Sequence, residues 1–159
     1  MKAVAPFEPA IVASNMQSML EFYRDILEMS VFSLDQIPAD AARKARLSAG
    51  GYEIARLESS HGDRLKIVVP EERAASSEPR SFVLQRQGYS YLTFIVPDLA
   101  YIVRRLRQFD VELFTGDDMV AFRPGVVNLI FAKDPEGNFL EFVERNDLDV
   151  YRPLKGGNT

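Results

Sequence analysis

The chain of 159 residues contains no cysteine and a single histidine, His61. The first absence removes disulfides, cysteine–zinc sites, iron–sulfur clusters and thiol nucleophiles together. The second means that one chain cannot supply the two histidines of a two-histidine, one-carboxylate iron site. No stretch approaches the ~18 consecutive apolar residues that a membrane span requires. The opening MKAVAPFEPA has one Lys2 and no apolar run behind it, so no secretory signal is expected. A basic excess is missing too. Nineteen basic residues against 23 acidic ones give a net charge of −4, which speaks against a non-specific nucleic-acid binder. What is present is ordinary globular composition, 47% apolar and 26% charged. The expectation is a cytoplasmic domain with its own core.

Two segments share a plan. EPAIVASNMQSMLEFYRDIL runs from Glu8 to Leu27, and YLTFIVPDLAYIVRRLRQFD runs from Tyr91 to Asp110. Each is an apolar strand, then a capping residue (Asn15 or Asp98), then an amphipathic helix. Asn and Asp suit the cap because a side-chain oxygen accepts from the orphan N–H groups of the first turn. Met16, Met19, Leu20 and Tyr23 superpose at constant offset on Leu99, Ile102, Val103 and Leu106, the spacing of one helix face. Strand signals follow each helix: SVFSLDQ, YEIARLESS and RLKIVVP after the first, VELFTGD, VVNLIFAKD and FLEFVE after the second. The turns SHGD and DPEGN carry Gly62 and Gly137. Each half therefore reads β-α-β-β-β. The expected division is a first module over 1–70, a polar linker over 71–88, a second module over 89–145 and a C-terminal tail over 146–159 whose end, RPLKGGNT, is expected to be mobile, together one α+β domain. The first half is longer by PADAARKARL, which reads as a short helix or ordered loop.

Paired β-α-β-β-β modules of this length resemble the vicinal oxygen chelate superfamily, which includes glyoxalase I, epimerases, extradiol dioxygenases and bleomycin-resistance proteins. DPEGNFLEFVE is similar to the family's C-terminal hairpin, and FYRDIL and GYSYLTFIVPDL are further typical stretches. The resemblance implies two sheets curling around a cavity, with metal ligands in the enzymes at the first and last strands of each module. Carried over residue by residue, those places fall on Glu8, Lys66, Tyr91 and Glu141. Only Glu141 keeps the family's residue type.

Strand alternation gives the facings independently. Leu65, Ile67 and Val69 pack one way and turn Lys66 to the other face; Leu140 and Phe142 likewise oppose Glu141. A one-residue slip would drive Lys66 into the core. A charged lysine has three donors and no lone pair, so an ammonium at a ligand position repels a divalent ion. A divalent metal is accordingly disfavoured, and no cofactor is expected.

The leading expectation is a small-molecule lyase or isomerase with a metal-free acid–base site. Glu8 or Glu141 would be the base, and Lys66 or Tyr91 would stabilise an enolate or phenolate oxygen. The alternatives are a drug-sequestering protein of the bleomycin-resistance type, a metal-dependent glyoxalase-like lyase, and a non-catalytic interaction protein. Arg56, Phe114 and Arg123 (the last in an AFRPG loop) are candidate contacts to an anionic or aromatic ligand. His61 reads as an exposed turn residue and Tyr89 as a weaker stacking candidate. The resemblance also implies a homodimer, with no nucleic-acid or membrane partner.

Overall fold

The structure is a computed structural model and describes residues 5–76, 78–116 and 118–152. The chain divides between Pro79 and Arg80 into two compact units. Each holds one four-stranded mixed sheet with helical cover.

In the first unit, β1 (Ala10–Val12) leads to α1 (Met16–Leu20), followed by β2 (Ser30–Ile37), α2 (Ala39–Lys44), β3 (Tyr52–Glu58) and β4 (Arg64–Pro70). The sheet order is β1-β4-β3-β2, with β1 parallel to β4 and the other pairs antiparallel. Asn15 caps α1, its side chain accepting from the Ser18 N–H at 3.1 Å. The expected continuous α-helix widens into a π-helical turn over Glu21–Ile26, in which the Leu27 N–H reaches back to the Phe22 carbonyl. Met19, Phe22, Tyr23 and Ile26 have the i, i+3, i+4, i+7 spacing of one helix face, and all four are buried. The wider turn accompanies burial of both Phe22 and Tyr23, whose rings meet edge to face. Leu57, Leu65 and Ile67 form the core beneath this helix. Between α2 and β3, the Glu71 carboxylate accepts from the Gly51 N–H at 2.8 Å, and the Glu71 N–H donates to the Gly51 carbonyl. The start of the expected linker is thereby stitched to the sheet.

In the second unit, β5 (Tyr91–Ile95) leads to α3 (Leu99–Gln108), β6 (Val120–Arg123), β7 (Val127–Lys133), β8 (Phe139–Arg145) and a short α4 (Leu148–Tyr151). The order β5-β8-β7-β6 repeats the first sheet. Two side chains hold the start of α3: Asp98 accepts from the Tyr101 N–H and Glu144 accepts from the Leu99 N–H at 2.7 Å. Leu99, Leu106, Leu140 and Phe142 make the core.

The expected strand VELFTGD is corrected. Only Leu113 makes a ladder bridge, to Ala132, and the Phe114 N–H donates to the Phe131 carbonyl. At Gly116 (φ +84°) the chain takes a left-handed conformation open to glycine, and its N–H turns back to the Leu113 carbonyl. The edge of β7 is therefore shared by two pieces, residues around 113–115 and β6. Arg123 consequently ends a strand rather than lying in a loop. The C-terminal tail opens with α4, which places Tyr151 against the Arg145 guanidinium at 3.5 Å. Its remainder, from residue 153, lies outside the described residues.

Candidate functional site

In both units the face opposite the helices carries the candidate residues. Each face is set by strand alternation.

On the first face, β3 and β4 pair Arg56 opposite Lys66 and Glu58 opposite Arg64. Glu8 precedes β1, and the chain is fixed beside it by the Lys66 N–H donating to the Pro9 carbonyl at 2.9 Å. The Lys66 ammonium lies 2.9 Å from Glu8 Oε2, and Arg64 Nη1 lies 3.6 Å from Glu8 Oε1. The hydrogen bond from Lys66 holds the Glu8 carboxyl below its usual range. Partial desolvation opposes this, and the fields of Lys66, Arg64 and Arg56 reinforce it. Arg56 donates to Asp35 at 2.7 Å and to the Ser33 hydroxyl at 3.1 Å. Arg64 donates to Glu58 at 2.7 Å and lies 3.9 Å from the centre of the Phe32 ring. The Glu58 carboxylate raises the already high pKa of Arg64. Lys66 is thus half-buried beside one carboxylate. The second carboxylate of the expected trio, Glu141, belongs to the other unit and has its own partner there.

On the second face, the Thr93 hydroxyl donates to Glu141 Oε2 at 2.7 Å, as their direct opposition in the parallel pair β5–β8 allows. The Tyr91 ring packs edge-on to Phe131, the residue across from Glu141 on β7. Phe114 meets Phe139 edge to face at 4.7 Å, with the Lys133 ammonium 5.1 Å from its centroid. Arg80 covers the other ring of that pair, 4.8 Å from the Phe139 centroid. Arg123 is more exposed, 3.9 Å from Asp147. Tyr89 is fully exposed, and His61 sits exposed in its turn beside the Ser60 hydroxyl. A shallow recess of about 230 Å³ along α3, lined by Ala100, Val103, Arg104, Arg107, Asp118 and Met119, contains none of the candidates.

Arg64, Thr93, Phe131, Lys133 and Arg80 were not among the sequence candidates. Arg64 was within reach, because it stands two residues from Lys66 and alternation puts both on one face. Lys133 and Phe131 required the register of β7 against β8, which no single segment carries.

The donor set does not fit a divalent ion. Glu8 is engaged by two cations, Lys66 offers no lone pair while charged, and no group of three or more His, Cys, Asp or Glu side chains that could hold a metal occurs among the described residues. No helix among them is long and apolar enough to cross a membrane.

Two successive β-α-β-β-β modules, each with a polar row on the face away from its helices, define the class. Residues 6–142 match the family model of the Glyoxalase/Bleomycin resistance protein/Dioxygenase superfamily, and the chain belongs to that superfamily. Its fold is similar to a glyoxalase family protein from Bacillus cereus (TM-score 0.77, 19% identity, covering 91% of this chain and 96% of that one). It is also similar to the trypanothione-dependent glyoxalase I of Leishmania major (TM-score 0.66, 16% identity, 94% and 92%). A third likeness is a glyoxylase/bleomycin resistance protein/dioxygenase domain from Frankia sp. EAN1pec (TM-score 0.67, 12% identity, 92% and 94%). At these identities the likeness concerns the fold. No curated protein matches the sequence.

Proposed function

We propose that the chain is a small-molecule lyase or isomerase that works by acid–base chemistry without a metal. The observation carrying this reading is the 2.9 Å ion pair between Lys66 and Glu8. It puts a cation, and an already neutralised carboxylate, at two places where the family's enzymes hold ligands. In the reaction class this implies, a carboxylate takes a proton from a carbon next to a carbonyl. The electron pair moves to the carbonyl oxygen, where a cation stabilises it. Lys66 is assigned the cation's role, and Glu141 and Glu8 are the two candidate bases; the hydrogen bond from Thr93 to Glu141 Oε2 leaves that carboxylate's other oxygen to act. Glu8 is the poorer base of the two, because its pKa is held down by Lys66. Tyr91 has a phenolic O–H suited to the same oxyanion role. Arg56, Phe114 and Arg123 are assigned to ligand contact, and a homodimer is the expected assembly.

A second reading, ligand sequestration without chemistry, is favoured by the neutralised state of Glu8. Screening carbonyl and aromatic metabolites against metal-stripped protein separates the two. A turnover that titrates with pH and falls in Lys66→Met and Glu141→Gln supports the enzyme. Saturable binding without product supports sequestration, and full turnover in both variants removes the acid–base assignment.

A further inference from the structure

The first face gathers three cations in one patch: Arg56 and Lys66 directly opposite each other, and Arg64 two residues along β4. Like charges in direct opposition destabilise a sheet, so the patch needs anions. Two come from the sheet itself, Asp35 on Arg56 and Glu58 on Arg64. They leave one positive charge unmatched. The third anion is of a different kind. Glu8 stands outside any strand, since β1 begins at Ala10, and its neighbour Phe7 is 89% exposed. Its carboxylate nevertheless sits on both Lys66 and Arg64. The side chains of Glu8, Lys66 and Arg64 are 31%, 29% and 32% exposed, so the pairing is open to solvent.

We propose that Lys66 and Arg64 form the seat for a single carboxylate on the small-molecule ligand, and that Glu8 fills this seat as a tethered stand-in until the ligand displaces it. The proposal rests on reading this face as the ligand-facing one. The charge balance selects a monoanion, because one carboxylate replacing another leaves the patch neutral. The donors suit it as well: a guanidinium and an ammonium side by side offer charge-assisted hydrogen bonds to both oxygens. Displaced Glu8 loses little, because its carboxylate passes to water and its segment stays held by the Pro9 carbonyl. Occupancy by Glu8 lowers the apparent affinity for the ligand by the fraction of chains in which the seat is free.

The test is titration at low salt with benzoate, and with benzamide as its neutral counterpart, followed by amide and side-chain NMR shifts. Glu8→Gln is expected to bind benzoate about tenfold tighter than the unaltered chain, with shifts centred on Arg64 and Lys66. Benzamide binding should not change, and adding Lys66→Met should abolish the gain. Glu8→Ala serves as the second variant if Glu8→Gln fails to fold. Unchanged benzoate affinity in the folded variant, an equal gain for benzamide, or shifts that map elsewhere would each overturn the proposal. Full turnover in Glu141→Gln would remove the acid–base reading and leave this seat in place. A Glu8→Gln chain with no tighter binding would do the reverse.

Discussion

Asp134 is the one charged side chain buried among the described residues, 4% exposed. Its Oδ1 accepts from the backbone N–H groups of Glu136 and Asn138 at 3.0 and 2.9 Å, and the Asn138 side-chain amide donates to both carboxylate oxygens. Together with Gly137 (φ +80°), these bonds close the turn that sets β8 against β7. Glu141 depends on that register, because a slip of one residue would exchange it with Leu140 or Phe142. Asp134→Ala removes every acceptor at once and leaves three donor groups to find water in a half-buried turn. A hydrogen bond to a charged group is worth roughly 1.5–3 kcal/mol net, and partial rehydration offsets some of the sum, so the cost should be about 3–5 kcal/mol. Asp134→Asn keeps the Oδ1 acceptor and turns one amide toward another, at about 1–2 kcal/mol. For a chain of this size the alanine change should lower Tm by roughly 6–20 °C. Urea unfolding followed by circular dichroism reads the energies as a shift in midpoint at constant slope. Hydrogen exchange at Phe139–Glu141 should quicken in parallel. An alanine variant within about 1 kcal/mol of the parent, or one no worse than the asparagine variant, would refute the assignment of the turn to Asp134.

Three further outcomes follow from the same geometry. A Cβ at Gly51 would lie 2.8 Å from the Ile37 carbonyl oxygen and 2.7 Å from Glu71 Oε1, whereas the atoms nearest to one at Gly50 all belong to the flexible Glu71 side chain. Gly51→Ala should therefore cost about 2–4 kcal/mol and Gly50→Ala clearly less, as thermal melts would show. Glu8, with its folded-state pKa below the ordinary value of 4.5, contributes stability that is present above the ordinary value and lost as pH falls through the lower, folded-state one. Carbon-detected NMR should find Glu8 titrating below the usual range, and Lys66→Met should move it upward; no movement would break the link to Lys66. Glu144→Ala should cost about 1–2 kcal/mol by uncapping the Leu99 N–H, and fraying of α3 in hydrogen exchange should accompany it.

Much of this arrangement is visible in strand alternation. The row Leu65, Ile67, Val69 turns Lys66 away from the helices, and Leu140 with Phe142 does the same for Glu141; both are half-buried on the expected faces. The caps Asn15 and Asp98 sit where their side chains accept from the first turn. Less was legible where the outcome depends on partners distant in sequence. Arg64 binds Glu8 and Glu58 because β3, β4 and the segment before β1 meet, which a single strand does not announce. VELFTGD has the composition of a strand, but Gly116 bends it off the edge of β7 and leaves VAFR to complete the ladder. The π-helical turn after α1 is not announced by the apolar period either, because Met19, Phe22, Tyr23 and Ile26 keep ordinary α-helical spacing.

The central claim is that an ammonium has replaced the metal of the family's enzymes. Elemental analysis of tag-free protein, coupled to thermal melts with added nickel, zinc, manganese, iron(II) and cobalt, tests it most directly. The account predicts no stoichiometric metal and no concentration-dependent rise in Tm with any of these ions. Near-stoichiometric metal, or a rise that scales with the concentration of one ion, would contradict it, because an ion that binds the native chain must stabilise it.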